Sequence, residues 1–245
     1  MKINEIPKFV INLKRREDRL IQIKKELEYI GWDAEIIEAV DTNDHQGITH
    51  STLKILEIAE ERGYERFMVM EDDCTFMPYA KSLLNQLQNE INDLSFGVFN
   101  FAPTLCRKVD RYKDSKLLLD LTNLPEKNPN DRDIYALNMI VYDKSIYETL
   151  KDIKVSNFFN GGFYHALDEY IFNRIISKFQ SFSPVLPIAP QTAGLSNISN
   201  GYYNNFYTQT YNWNGYSPVK IPGEYLDYER NQINKELKIH NEINL

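Results

Sequence analysis

The stretch KFVINLKRREDRLIQIKKELEYIG, Lys8 to Gly31, decides how the rest of the chain is read. KFVINL reads as a short buried strand, and Lys14, Arg15 and Arg16 end its apolar run. Leu20, Ile23, Leu27 and Ile30 then recur along one helical face until Gly31 stops it. The order is strand, basic turn, helix. Outward from here the alternation repeats. DAEIIEAVD is a second strand, THSTLKILEIAEERG a helix with Thr49 or Ser51 near its start, and RFMVM a third strand. YAKSLLNQLQNEIND is a helix, FGVFNFA and YALNMIVYD are strands, and KSIYETLKD is a short helix. Such alternation predicts an α/β fold with a mostly parallel central sheet flanked by helices, and ligands at the carboxyl ends of the strands.

The later chain is less regular. RKVDRYKDSKLLLDLTNLPEKNPNDRD, with Pro125 and Pro129, reads as a weak hairpin followed by a loop. FFNGGFYHALDEYIFNRIISKF gives a Gly161-Gly162 loop and a helix with Phe163, Leu167, Ile171 and Ile175 on one stripe. SPVLPIAPQTAGLSNIS is proline-rich and extended, and a Tyr- and Asn-rich run begins at Gly201. The expected organisation is one domain over 1–200, with 201–245 packed on it. Tyr202, Tyr203, Tyr207, Tyr211 and Trp213 in that last segment suit either a sugar-stacking surface or plain packing.

The 245 residues suffice for one substantial core. A net charge of −7 and a pI near 5.2 argue against a protein that coats nucleic acid or an anionic membrane. Two cysteines, Cys74 and Cys106, are too few for a disulfide framework or a thiolate metal site. The brief apolar run near the N-terminus is far short of a signal peptide or a membrane span, so a cytoplasmic protein is expected. His45, His50, His165 and His240 are not spaced as a metal set.

FMVMEDDCTFM, Phe67 to Met77, sets three acids inside an apolar run. Burying a carboxylate costs several kcal/mol unless a cation or hydrogen-bond donors replace the lost water. Glu71, Asp72 and Asp73 are therefore either a solvated turn after the strand or an acidic turn holding a divalent cation. They follow the third strand as Lys14 to Arg16 follow the first, so a basic and an acidic turn share one sheet edge. No glycine-rich phosphate loop is present, and arginines with a metal would have to hold a phosphate. Glu71, Asp73 and Thr75 also occupy the places of a phosphatase Asp-x-Asp-x-Thr signature, although Glu has the wrong length for that nucleophile.

Four separated blocks, in order, resemble the family 25 glycosyltransferases, the lipooligosaccharide and collagen galactosyltransferase group. They are FVINLKRREDR, GITHSTLKILEIAEERGYERFMVMEDDCTFM, ALDEYI and PIAPQTAGLSNIS, spread over Phe9 to Ser199. The chain departs from the family pattern at Thr52, where the family has His after the serine, and at Ile48 and Asn197. The resemblance implies a GT-A-like nucleotide-sugar-binding fold and transfer of a hexose, galactose or glucose, from a UDP-sugar to a glycan or glycoprotein acceptor. It also implies Mn²⁺ or Mg²⁺ under the diphosphate.

On that basis Asp73 and Glu71 are the expected metal-side residues, with Asp72 beside the donor. Arg15 and Arg16 are expected at the donor phosphates. Arg19 is placed with them or paired to a nearby acid. Asn12 and Leu13 would meet the base through their backbone, and Asp41 the uracil or ribose. Ser51, Gln191 and Ser196 complete the donor set. Asp168 is the expected base of an inverting transfer, with Glu169 as its substitute. A catalytically silent glycan-binding or scaffold protein with the same fold is the rival reading.

Overall fold

Apolar side chains alternate to both faces of the first strand, which is why helices cover the sheet on two sides. The computed structural model describes residues 2–42, 46–105, 109–122, 134–153, 167–176, 178–192, 194–195 and 202–203. Strand β1 (Lys8–Asn12) is buried along its length and leads into helix α1 (Glu17–Ile30). Gly31 ends α1 in the left-handed conformation, φ 79°, with its N–H on the Leu27 and Glu28 carbonyls, as a glycine C-cap should. Strand β2 (Glu35–Glu38), helix α2 (Gln46–Glu61), strand β3 (Arg66–Glu71) and helix α3 (Ala80–Asp93) continue the alternation. After β4 (Val98–Asn100) come the short β5 (Thr104–Leu105), β6 (Leu118–Asp120), β7 (Ile134–Tyr135) and β8 (Met139–Asp143). Helices α4 (Tyr147–Lys151) and α5 (Leu167–Tyr170) precede β9 (Ser181–Pro184), β10 (Gly194–Leu195) and β11 (Tyr202–Tyr203).

The main sheet has seven strands in the order β2-β1-β3-β8-β4-β9-β6. β1 is parallel to β2 and β3, and β4 is parallel to β9, while β8 and β6 are antiparallel to their neighbours. Only β8 and β6 therefore run against the other five, in keeping with the α/β, mostly parallel expectation. One core packs Phe9, Ile11, Phe67 and Val69 under Ile55, Leu56 and Ala59 of α2 and Tyr147 and Leu150 of α4. The other packs Val10, Met68 and Met70 under Ile23, Leu27 and Ile30 of α1 and Leu83, Leu84 and Leu87 of α3. Strands buried on both faces read as continuous apolar runs, and both β1 and β3 do.

Three boundaries differ from the sequence expectation. α2 begins at Gln46, ahead of Thr49. The expected strand over YALNMIVYD is two strands, β7 and β8, separated at Ala136 by a positive φ of 74°. The helix expected to carry Phe163, Leu167, Ile171 and Ile175 is α-helical over Leu167–Tyr170 and changes at Ile171 to π-helical winding through Ile176, with Leu167, Ile171 and Ile175 buried. The weak hairpin is present as an antiparallel bridge between Arg111 and Leu119 of β6. Among the described residues, no helix is long and apolar enough to cross a membrane. Of 201–245, only β11 is described, and it pairs with β10. The Gly161-Gly162 loop, Phe163, His45, His165, His240, Cys106 and the rest of the aromatic segment lie outside the described residues.

Candidate active site

Three segments meet at the carboxyl edge of the sheet: the acidic turn after β3, the β1–α1 turn, and residues 188–192 beyond β9. Asp72 and Asp73 are buried, at 6% and 4% exposure, and Glu71 is half-buried. The solvated turn is therefore not what this chain builds. Arg19 offsets the cost of burial: its Nη1 donates to Asp72 Oδ1 at 3.0 Å and to Asp73 Oδ2 at 2.9 Å. Asn12 Nδ2 donates to Asp72 Oδ2 at 2.7 Å, and Gln191 Nε2 to Asp73 Oδ2 at 2.9 Å. Three of the four carboxylate oxygens are thus satisfied. The fourth, Asp73 Oδ1, is buried with no hydrogen-bond partner.

The electrostatics follow from this packing. Burial raises the Asp72 pKa, the Asp73 charge raises it further, and Arg19 and Asn12 oppose both. Burial alone would lower the Arg19 pKa, but the carboxylates of Asp73 and Asp72 hold it above its ordinary value.

One stripe of α1 fixes the chain that carries the acids. Arg19, Gln22, Glu26 and Tyr29 follow the three- and four-residue steps of a helix face. Beyond the Arg19 contacts, Gln22 Nε2 donates to Thr192 Oγ1 at 3.0 Å, and Glu26 Oε2 accepts from the Phe76 N–H at 2.8 Å. Tyr29 donates to the Pro78 carbonyl at 3.3 Å. The 188–192 segment closes the other side: Thr192 N–H donates to the Asp73 carbonyl at 2.7 Å, Thr75 to Pro190 at 3.0 Å and Met77 to Ile188 at 3.0 Å. Thr75 and Thr192 also share a hydroxyl hydrogen bond.

Beneath the turn, the Asn138 carbonyl accepts from the Glu71 N–H at 2.9 Å and from Cys74 Sγ at 2.6 Å. Its Nδ2 donates to the Ala189 carbonyl at 2.7 Å. Asn100, the last residue of β4, donates to the Ala136 carbonyl at 2.9 Å and so anchors the loop that delivers Asn138.

The other expected donor residues divide. Arg15 pairs with Asp41, both about half exposed. Arg16 makes a two-point contact with Asp18, at 2.9 and 2.8 Å, which draws the Asp18 pKa down to about 2. Leu13 is half-buried, and its carbonyl accepts from the Arg16 N–H at 2.7 Å. Ser51 is fully buried: its hydroxyl donates to the Gly47 carbonyl at 2.6 Å and accepts from the Val40 N–H at 2.9 Å. It thereby ties the loop after β2 to α2, where Gly47 has no room for a Cβ beside the Val40 carbonyl. Asp168 and Glu169 lie in α5, but their side chains, like Ser196, are outside the described residues.

Sequence reasoning missed Asn138, Gln22, Thr192 and Glu26, and it assigned Asn12 a backbone role only. Glu26 carried a signal, because it interrupts the apolar face between Ile23 and Ile30.

Among the described residues, no group of three or more His, Cys, Asp or Glu is arranged to hold a metal ion by itself. No family model matches the chain, and no curated protein matches it. The chain is similar in part to the crystal structure of a glycosyltransferase involved in glycosylation of the major capsid of PBCV-1. That match has 16% identity and TM-score 0.37, over 60% of this chain and 63% of the other, less than two thirds of its length. It is also similar to the inositol-1-phosphate CTP transferase from T. maritima, at 13% identity and TM-score 0.36, over 75% and 87%. At such scores neither likeness bears on what the site does.

Proposed function

We propose that the chain is a metal-dependent glycosyltransferase of GT-A-like organisation, moving a hexose from a UDP-sugar to a hydroxyl of a glycan or protein-linked acceptor with inversion. The observation that carries this reading is the unpartnered, buried Oδ1 of Asp73. An unsatisfied buried acceptor costs about 1–3 kcal/mol, more when charged, and a hard cation is the ligand that would relieve it. Two carboxylates, Asp73 and Glu71, would be enough to hold Mn²⁺ or Mg²⁺, because such ions commonly take their other oxygens from substrate phosphates and water. When bound, the ion would supply stabilisation of the charge that builds on the departing diphosphate.

The β1–α1 turn supports the same reading. The Arg15–Asp41 pair is half exposed, and such pairs are worth about 0–1 kcal/mol, so Arg15 can exchange its carboxylate for a phosphate at little cost. Arg16 is similarly held by an exposed partner, Asp18, and offers phosphate the same two-point geometry. Asp168 is the proposed base. Its helix lies against β7, the strand that leads through Ala136 to Asn138 under the acidic turn.

The silent, glycan-binding alternative is favoured by one observation: Arg19 already pairs with both Asp72 and Asp73. The phosphatase alternative has none, since Thr75 is buried and shares its hydroxyl with Thr192. Turnover decides. Purified protein with Mn²⁺ and a panel of UDP-hexoses should release UDP and give a product of inverted anomeric configuration. Asp168→Asn should keep UDP-sugar binding and lose transfer by a factor on the order of a hundred. No turnover of any UDP-hexose would leave the silent reading. A retained configuration, or near-normal turnover in Asp168→Asn, would remove Asp168 as base.

A further inference from the structure

Arg19 occupies the middle of the acidic turn. Its Nη1 lies within 3.0 Å of both carboxylates, and its side chain is only 16% exposed. On Asp73 it shares Oδ2 with Gln191, so of the four oxygens of Asp72 and Asp73 the one left for another cation is Oδ1 of Asp73. A divalent ion there would sit within a few ångströms of a guanidinium, in a site that water screens poorly, and like charges so placed repel strongly. Without Arg19 the buried acids would have no positive partner among these contacts, so the turn keeps a resident cation at the expense of its affinity for a second one. A diphosphate brings several negative charges and reverses that balance.

We propose that Arg19 is a positioning residue that acts as the resident counter-ion of the acidic turn, so that Mn²⁺ alone binds weakly and binds well only together with a diphosphate. This rests on the nucleotide-sugar reading above, and it moves Arg19 from the phosphates to the acids.

The test is Mn²⁺ binding without nucleotide, followed by electron paramagnetic resonance and by the Mn²⁺-induced change in melting temperature. It compares wild type, Arg19→Gln and Arg19→Lys. Arg19→Gln should bind Mn²⁺ about ten-fold more tightly or better than wild type, because the repulsion is gone. Its melting temperature should fall without metal and recover with Mn²⁺, whereas Mn²⁺ alone should barely move the wild type. Arg19→Lys keeps the charge and should bind Mn²⁺ as weakly as wild type. UDP should strengthen Mn²⁺ binding more in wild type than in Arg19→Gln. Equal or weaker Mn²⁺ binding by Arg19→Gln would overturn the proposal, as would an Arg19→Gln protein that Mn²⁺ does not restore. A wild type whose UDP binding is indifferent to Mn²⁺ would instead remove the donor reading itself, whatever Arg19→Gln does with metal alone, so the two failures are told apart.

Discussion

Asp73 shows what a single residue hides from sequence reading. The run of acids in FMVMEDDCTFM is visible, and so is the cost of burying it. The groups that meet that cost are not: Arg19 is 54 residues away from Asp73, and Gln191 is 118 away. Nothing local in either stretch names the other. Lys8 is a second buried charge, and its hydrogen-bond acceptors, unlike the donors to the acids, are local in sequence. Its Nζ donates to the Asn4 and Ile6 carbonyls at 3.0 and 2.8 Å and lies 4.8 Å above the Trp32 ring. Burial pushes its pKa from 10.5 down to about 8, against the pull of Asp33. Between those values the folded chain binds fewer protons at Lys8 than the unfolded chain, so stability from this group rises with pH across that window. Urea unfolding of wild type and Lys8→Met should show the wild type gaining on the variant from pH 8 to pH 10.5. A difference that stays constant over that range would refute the shift.

Helices and strands were more legible than their polar contacts. The apolar faces of α1 and α3 and the continuous runs of β1 and β3 each declare an element from its own residues. The polar stripe Arg19, Gln22, Glu26 and Tyr29 has the same helical spacing, but charged and polar residues on a helix flank ordinarily face water, so the pattern does not announce a docked segment. β9 has no strand expectation of its own: its last two residues open the proline-rich extended stretch, and its pairing with β4 and β6 is set by distant residues. The break between β7 and β8 is of another kind. Ala136 sits at φ 74°, held there by the Asn100 side chain, and an alanine has no local reason to adopt it. The left-handed conformation costs about 1–2 kcal/mol, while a glycine loses about 0.4–1 kcal/mol through the freer unfolded chain. Ala136→Gly should therefore leave the melting temperature unchanged or slightly raised, and Ala136→Val, branched at Cβ, should lower it. A clear loss in Ala136→Gly would mean that the methyl group is needed for packing.

On the scale of the molecule, the sheet gathers the site. Asn12, Glu71 and Asn100 end β1, β3 and β4, which run the same way, so residues far apart in sequence arrive at one edge. The alternation of strands and helices with the carboxyl-edge rule places the basic turn after β1 and the acidic turn after β3 at that edge from sequence alone, but does not bring Asn100 there. What the chain order does not contain is which arginine serves the acids and which are left for a ligand, since that depends on the pitch of α1 against the turn. The central claim is that Asp73 holds a divalent cation under a nucleotide diphosphate. It is tested most directly by the melting temperature of wild type and Asp73→Ala with UDP, in Mn²⁺ and in chelator. A ligand present at a hundred times its dissociation constant adds about 2.7 kcal/mol, which for a chain of this size is roughly 5–10 °C. The account predicts a shift of that order for wild type with UDP and Mn²⁺, a much smaller one in chelator, and loss of the Mn²⁺-dependent part in a folded Asp73→Ala protein. An equal UDP shift with and without Mn²⁺ in wild type, or an undiminished Mn²⁺-dependent shift in Asp73→Ala, would contradict it.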